Sequence, residues 1–165
     1  MKHIDVNYQS ETSIRARVIL WLLEKGAPLH AKLNTARVAW NLNSDELLAY
    51  KQGSLGHTLG AFYKKEKFEP IPKAERHDVF HVLLGYSTKV LDEAAMQFFL
   101  LGNGKPSFFT VGTCIITLLL YPLQSRFFLK AYQKGQQSTS IRYWNFKALL
   151  HADTRELQTI IFNLN

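Results

Sequence analysis

Apolar residues recur every three or four positions through most of this chain, in segments that Gly and Pro separate. This spacing matches the 3.6-residue turn of an α-helix, and the strict alternation that marks β-strands is sparse. Near the start, Ile14, Val18 and Trp21 share one face of such a helix. At 165 residues the chain is long enough to bury one core without disulfides. We therefore predict an all-α fold, a single-domain helical bundle over residues 1–165.

Helix ends are predicted from N-cap residues, prolines and glycines. Two caps are assigned in this way, Ser44 and Thr88, and one helix is expected to begin near Pro72. An antiparallel hairpin should form where the turn that starts at Gly85 reverses the chain. The predicted helices are 12–25, 44–50, 55–65, 72–84, 88–101, 141–151 and 153–163, with an exposed loop at 135–140.

The most apolar segment is 108–123, which is interrupted only by threonines, one glycine, one proline and Cys114. Its length of about 16 residues is below the ~20 that an α-helix needs to span a bilayer. We interpret the segment as a buried core helix. The alternative is a helix that lines a lipid site or dips into a membrane.

Two histidines and two carboxylates lie where one helical hairpin can bring them together. Positions 77, 78 and 81 lie at about 0°, 100° and 40° around a helix, so His77, Asp78 and His81 face one side. Glu93 follows the turn by about the same distance as His81 precedes it, so an antiparallel partner helix places it level with that face. The pattern predicts a metal site on the hairpin.

Two imidazoles and two carboxylates form a ligand set that suits Zn²⁺, Mn²⁺ or Fe²⁺, and Mg²⁺ if waters complete the shell. The chain contains no His-Glu-x-x-His segment, which argues against a metallopeptidase. No Ser-His-Asp or Cys-His arrangement is visible, so covalent catalysis is not predicted. The alternative is that these side chains are ordinary polar residues at a helix interface, with Glu93 paired to Lys89.

Composition narrows the classes of partner. The formal net charge of +7 favours an acidic partner, such as an anionic membrane surface. The basic residues are scattered and form no recognised module, so we expect no nucleic-acid partner.

Cys114 is the single cysteine, which excludes an internal disulfide and suits a reducing compartment. The first residues show no secretory signal, and we expect the protein to remain in the cell.

The run from His77 to Gly85, continued from Thr88 to Ala95, resembles the His-Asp-x-x-His-(eleven residues)-Glu signature of the Coq-four family of ubiquinone (coenzyme Q) biosynthesis. The segment 53–56, Gly-Ser-Leu-Gly, is similar to an upstream element of that family. The resemblance covers roughly residues 40–160. The chain departs from the family pattern in having Asp92 where small residues are usual, and we expect a bacterial homologue.

The resemblance implies a helical protein that holds a divalent metal, with Zn²⁺ favoured, through His77, Asp78, His81 and Glu93. It also implies an isoprenoid or prenylated quinone precursor as ligand and decarboxylation with hydroxylation at ring carbon C1 as the activity. The alternative is a non-catalytic prenyl-lipid-binding scaffold that organises other quinone-biosynthesis enzymes. Localisation would be cytoplasmic, peripheral to the inner face of a bacterial cell membrane. A homodimer is expected by analogy alone.

Two sets of residues follow as candidates for lipid contact. Apolar side chains near the hairpin are candidates for the prenyl channel, although the same residues would serve equally as ordinary core. Basic residues spaced by four are candidates for docking onto anionic headgroups, with a solvated basic face as the alternative. The candidates for the prenyl channel are Leu59, Phe62, Phe80, Leu84, Met96 and Phe99. The candidates for headgroup docking are Arg126, Lys130 and Lys134.

Overall fold

The computed structural model describes residues 13–21 and 38–164. Within these residues the fold is all-α, because no strand forms and Ser54 and Asp153 make only an isolated bridge. The predicted fold class is confirmed. The helices are residues 14–21 (α1), Ser44–Leu48 (α2), Leu55–Glu66 (α3), Glu75–Leu84 (α4), Val90–Gly102 (α5), Phe108–Leu120 (α6), Ser125–Gln137 (α7) and Thr154–Phe162 (α8), with a short 3-10 helix, Pro122–Gln124, between α6 and α7.

Helix α2 has a different N-cap from the predicted Ser44. The Asn43 side chain accepts from the Glu46 backbone N–H at 2.9 Å, and the Glu46 carboxylate accepts from the Asn43 N–H at 2.7 Å. This reciprocal pair is a capping box, and it moves the cap back by one residue. Ser44 is the first helical residue, and it is buried. The predicted helix 12–25 falls within the described residues only at 13–21.

The two helices of the hairpin begin later than predicted. Helix α4 starts at Glu75 rather than at Pro72 and ends at Leu84, and its C-cap Gly85 has a φ of 75°, in the left-handed region. Thr88 does not cap α5, since its hydroxyl donates to Glu66 Oε2 at 3.0 Å and the helix starts at Val90. The boundaries shift, but the hairpin connection stays short.

Residues 141–151 form turns, so the helix predicted there is wrong. The guanidinium of Arg76 donates to the carbonyls of Ile141, Arg142 and Trp144 at 2.8–2.9 Å. These bonds satisfy carbonyls that a helix would have to pair internally. The loop predicted at 135–140 is also partly wrong, because α7 continues through Gly135, which is buried.

Helices α3, α4, α5 and α8 and the 141–150 turns share the main hydrophobic core, with Leu59, Phe80 and Phe99 among its fully buried members. A second cluster joins α1, α5, α6 and α7. Helix α5 contributes to both clusters. Its first turns pack in the second cluster through Val90, Leu91 and Ala94, and its later turns reach the main core through Met96 and Phe99, so packing along the helix positions Glu93.

The Gly-Ser-Leu-Gly segment 53–56 attaches the start of α3 to the 150–154 turn. Backbone N–H groups of Leu55 and Gly56 donate to the carbonyls of Ala152 and Leu150, each at 2.9 Å. A side chain at Gly56 would begin 2.6 Å from the Tyr50 ring. The segment is therefore a structural connection between distant parts of the chain.

Helix α6 is not a buried core helix, contrary to the first interpretation of 108–123. Several of its largest apolar side chains face outwards, including Phe108, Ile115 and Leu119. No described helix is by itself long and apolar enough to cross a membrane, while α6 and residues 122–137, bent by 109°, meet the length and composition criteria as a pair.

Candidate metal centre

Helix α4 and the first turn of α5 bring His77, His81 and Glu93 together. His81 Nε2 lies 3.0 Å from Glu93 Oε1, and His77 Nε2 lies 3.4 Å from Glu93 Oε2. One ligand atom from each residue lies within 4.8 Å of the other two. The two histidines are one turn apart on α4, which explains their shared face. Two nitrogens and a carboxylate can therefore bind one ion.

The second nitrogen of each imidazole has a partner on the side away from Glu93. His81 Nδ1 lies 3.0 Å from the Tyr86 carbonyl oxygen, and only an N–H at this position can donate to it. His77 Nδ1 lies 3.4 Å from Asp78 Oδ1. Metal-ligating histidines commonly have such partners, which fix the tautomer that leaves Nε2 free for the ion.

Asp78 is placed beside the trio rather than within it. Its Oδ2 accepts a hydrogen bond of 2.7 Å from the Tyr63 hydroxyl, while its Oδ1 faces His77. The structure thus brings three of the four sequence-predicted ligands together and sets the fourth where it orients His77. Sequence reasoning missed Tyr63, since nothing in the motif spacing indicates that α3 supplies a donor here.

The charges at the centre are strongly coupled. Burial lowers the pKa of His77, but contacts with Asp78 and Glu93 outweigh it and raise the pKa to about 9. Burial raises the pKa of Glu93, whereas the contacts with His77 and His81 lower it to about 2. Burial and the neighbouring Asp78 raise the pKa of Tyr63, which keeps its hydroxyl protonated as a donor.

One atom of the centre lacks the partner that burial demands. Glu93 Oε2 is buried and has no hydrogen-bond donor within the described part of the chain. A buried carboxylate oxygen without a donor is costly unless a cation faces it. Its nearest ion-pair neighbour is His77 Nε2, at 3.4 Å. The protonated His77 faces this oxygen as an ion pair without a hydrogen bond, and a divalent ion in place of that proton would satisfy the oxygen, so the residues present fit a metal.

The centre lies in the wall of a cavity of about 520 Å³. The Phe62 ring stacks on the His81 imidazole with centroids 5.5 Å apart. Most of the remaining wall is apolar, with polar groups from Lys67, Glu69 and Thr88. The lining residues are Leu20, Phe62, Tyr63, Lys67, Phe68, Glu69, Ile71, His77, Asp78, His81, Thr88, Glu93 and Phe109.

The predicted lipid-contact residues divide between the cavity and the core. Phe62 lines the cavity, and the other five of the six are buried in the main core. Those five are Leu59, Phe80, Leu84, Met96 and Phe99. Besides Phe62, apolar lining comes from α1, from the loop after α3 and from the start of α6.

The predicted basic row lies along α7. Arg126 and Lys130 are exposed in its first two turns, and the Lys134 ammonium lies 4.1 Å above the Phe162 ring. None of the three lines the cavity of the candidate centre. Any role they have is therefore separate from the metal ligands.

Comparison with known proteins shows that the fold of this chain is similar to that of a solved structure. No protein-family model matches the chain. No curated protein matches it either. The chain is similar in structure to a candidate ubiquinone biosynthesis protein from Nostoc punctiforme PCC 73102, with a TM-score of 0.59 and 19% identity over 94% of this chain and 84% of that one. At this identity the likeness shows a shared fold.

Proposed function

We propose that this chain binds a divalent metal through His77, His81 and Glu93 and uses it to hold the polar head of a largely apolar ligand, as a protein of quinone biosynthesis. The observation that carries the proposal is the position of the three ligand groups in the wall of an apolar cavity. The motif resemblance to the Coq-four family and the fold of the Nostoc protein agree with it.

A metal is favoured over a simple charge cluster by the orientation of the donors. Both Nε2 atoms face Glu93, and both Nδ1 atoms have acceptors behind them. A set of two nitrogens and one oxygen suits Zn²⁺, Mn²⁺ or Fe²⁺. Three protein ligands leave a coordination position for a ligand group, and this is the arrangement of a reactive rather than a purely structural site.

The cavity favours a ligand with an apolar body and an anionic head. Phe62, Phe68 and Ile71 provide apolar wall, the charges of Lys67 and Glu69 offset each other, and a bound divalent ion would supply the positive charge that an anionic head needs. A polyprenylated aromatic carboxylate or phenolate has this division. A bound divalent ion would supply Lewis acidity toward an oxygen of that head. The chain would hold the ring beside His81 through Phe62 and exclude water from it.

Metal content of purified protein tests the metal part of the proposal. We expect about one ion per chain in the wild type and at least tenfold less in His81→Ala and Glu93→Gln, because the first variant removes a ligand nitrogen and the second replaces an anionic carboxylate by a neutral amide. His151→Ala and Glu156→Gln are the matched controls, outside the centre, and should keep the ion. Equal metal in all five proteins, or none after reconstitution, contradicts the proposal.

Lipid extraction with mass spectrometry tests the ligand part. Ile71 lines the cavity and Ile160 is exposed to a similar degree on α8, so they form a matched pair. We expect an isoprenoid to co-purify with the wild type and with Ile160→Glu, and its yield to fall in Ile71→Glu. An equal fall in both variants, or no apolar ligand in the wild type, contradicts the lipid assignment.

A further inference from the structure

Helix α6 is apolar on the face it exposes and hydroxyl-bearing on the face it buries. The residues packed inwards include Thr113 and Thr117, whereas Ile115 and Leu119 are 54% and 75% exposed. A helix that faces water shows the reverse distribution. We call the exposed side the α6 face. Its members, together with the following 3-10 residue, are Phe108, Val111, Ile115, Leu118, Leu119 and Leu123.

A buried threonine hydroxyl without a hydrogen-bond partner in the described part of the chain shows that the orientation of α6 carries an energetic cost. Thr117 is fully buried, and its Oγ1 has no hydrogen-bond partner among the described residues. Turning α6 about its axis would expose the threonines to water and bury the leucines. The chain instead keeps the threonines buried, so the outward apolar side chains favour an apolar neighbour outside the described residues.

The apolar surface continues around the bend between α6 and α7. Leu123, at the corner, is 92% exposed, and Leu129 is exposed on α7 beyond it. At the other end of α6, Phe108 is fully exposed while Phe109 lines the cavity of the metal centre. The α6 face therefore extends from the cavity to the corner.

The positive charge next to the α6 face indicates which partner covers it. Residues 94–152 contain no Asp or Glu. The same segment carries six cations, and Arg126 and Lys130 are exposed directly after the corner. A second copy seated on the α6 face through the same segment would offer these cations no carboxylate partner. An anionic lipid surface meets both the apolar side chains and the cations.

We propose that the α6 face and the adjoining corner dock onto an anionic phospholipid bilayer, with Leu119 and Leu123 among the acyl chains and Arg126 and Lys130 at the phosphates. This surface does not involve His77, His81 or Glu93, so the proposal stands independently of the metal. It also places Phe109, which lines the cavity, next to the bilayer.

Vesicle sedimentation tests the proposal with full-length protein. Vesicles of phosphatidylcholine alone are compared with vesicles that also contain phosphatidylglycerol. We expect roughly tenfold or stronger binding to the anionic vesicles, weakened by salt. Leu119→Ser/Leu123→Ser should lower that binding at least about tenfold. Ile160→Ser/Leu164→Ser, which changes two other exposed apolar side chains on and after α8, should bind as the wild type does.

A second set of variants tests the contribution of positive charge to vesicle binding. It also tests whether a second copy of the chain covers the α6 face instead. Arg126→Gln should lower binding to anionic vesicles more than Arg155→Gln, an exposed arginine of α8. Circular dichroism and thermal unfolding confirm that each variant is folded. Equal binding of wild type and Leu119→Ser/Leu123→Ser, equal binding to neutral and anionic vesicles, or a lipid-free dimer that this variant dissociates would each overturn the proposal.

Discussion

The hydroxyl of Tyr63 holds the Asp78 carboxylate beside the candidate centre. Tyr63 is almost fully buried and donates to Asp78 Oδ2 at 2.7 Å, and Asp78 Oδ1 faces His77 Nδ1. Partners behind a metal-ligating histidine fix its orientation and raise its basicity. The series of polar contacts from Tyr63 through Asp78 to His77 therefore connects α3 to the metal ligands.

Tyr63→Phe removes one oxygen and leaves the ring in place. The loss of a hydrogen bond to a buried carboxylate should lower the free energy of unfolding by about 1–2 kcal/mol. Metal affinity should fall by roughly 10–100-fold, because Asp78 no longer has a fixed position. Urea unfolding and metal titration measure the two effects. Tyr143→Phe, at an exposed tyrosine, is the control. Equal metal affinity in both variants would contradict a role for Asp78 in metal binding.

Metal affinity should rise with pH. Because the pKa of His77 is raised to about 9, its imidazole carries a proton at neutral pH, and this proton must leave before Nε2 can bind an ion. Glu93, with a pKa of about 2, is already ionised. The dissociation constant should therefore fall about tenfold per pH unit between pH 7 and 8.5. Metal titrations in weak buffer, with proton release recorded, test this, and a pH-independent constant would count against His77 as a ligand.

The ligand trio could be predicted from sequence because helical spacing alone decides which side chains share a face. His77 and His81 follow from one turn of α4, and Glu93 follows from a short connection. The position of Asp78 could not be predicted. It depends on a tyrosine 15 residues earlier, on another helix, and on which of two carboxylate oxygens that tyrosine meets.

Helices α5 and α7 pack with their backbones in close approach. A Cβ at Gly135 would lie 2.1 Å from the Phe99 carbonyl oxygen, and a Cβ at Gly102 would lie 2.1 Å from the Tyr132 carbonyl oxygen. Each glycine thus admits the partner helix's backbone. The contact positions α5, and with it Glu93, relative to the second core cluster.

Gly135→Ala should destabilise the fold, since backbone atoms cannot move aside as a flexible side chain can. We expect a loss of roughly 1–3 kcal/mol or more in the free energy of unfolding. Gly112→Ala, on α6 where a Cβ meets nothing within 4 Å, should be neutral or stabilise by up to about 1 kcal/mol. Denaturant unfolding of both variants distinguishes close packing from helix propensity. Equal stability of the two would contradict the described contact.

Most described helices could be predicted from periodicity and punctuation, and the errors arise from tertiary contacts. The 141–151 segment has helical spacing, yet Arg76, 65 or more residues earlier, takes up its carbonyls. The 135–140 segment is rich in loop-forming residues, yet Gly135 is required inside α7 by the approach of Phe99. Local propensity cannot include either partner.

At the scale of the molecule, the two hydrophobic clusters formed by the described residues share α5, and the candidate centre lies at its first turn. The cavity joins α1, α3, α4 and α6, so its apolar wall comes from residues far apart in sequence. This explains why five of the six residues predicted to contact lipid are core residues. Apolar character is visible in a sequence, whereas the side that faces a cavity depends on how whole helices pack.

The most direct test of the account is anomalous diffraction from crystals of metal-loaded protein, collected at the absorption edge of the added ion. The account predicts one peak within ~2.3 Å of Nε2 of His77, Nε2 of His81 and an oxygen of Glu93, on the cavity side, and no peak at that position in Glu93→Gln crystals. A peak elsewhere, or no peak there in the wild type while the three side chains keep their positions, would contradict a metal centre in this protein.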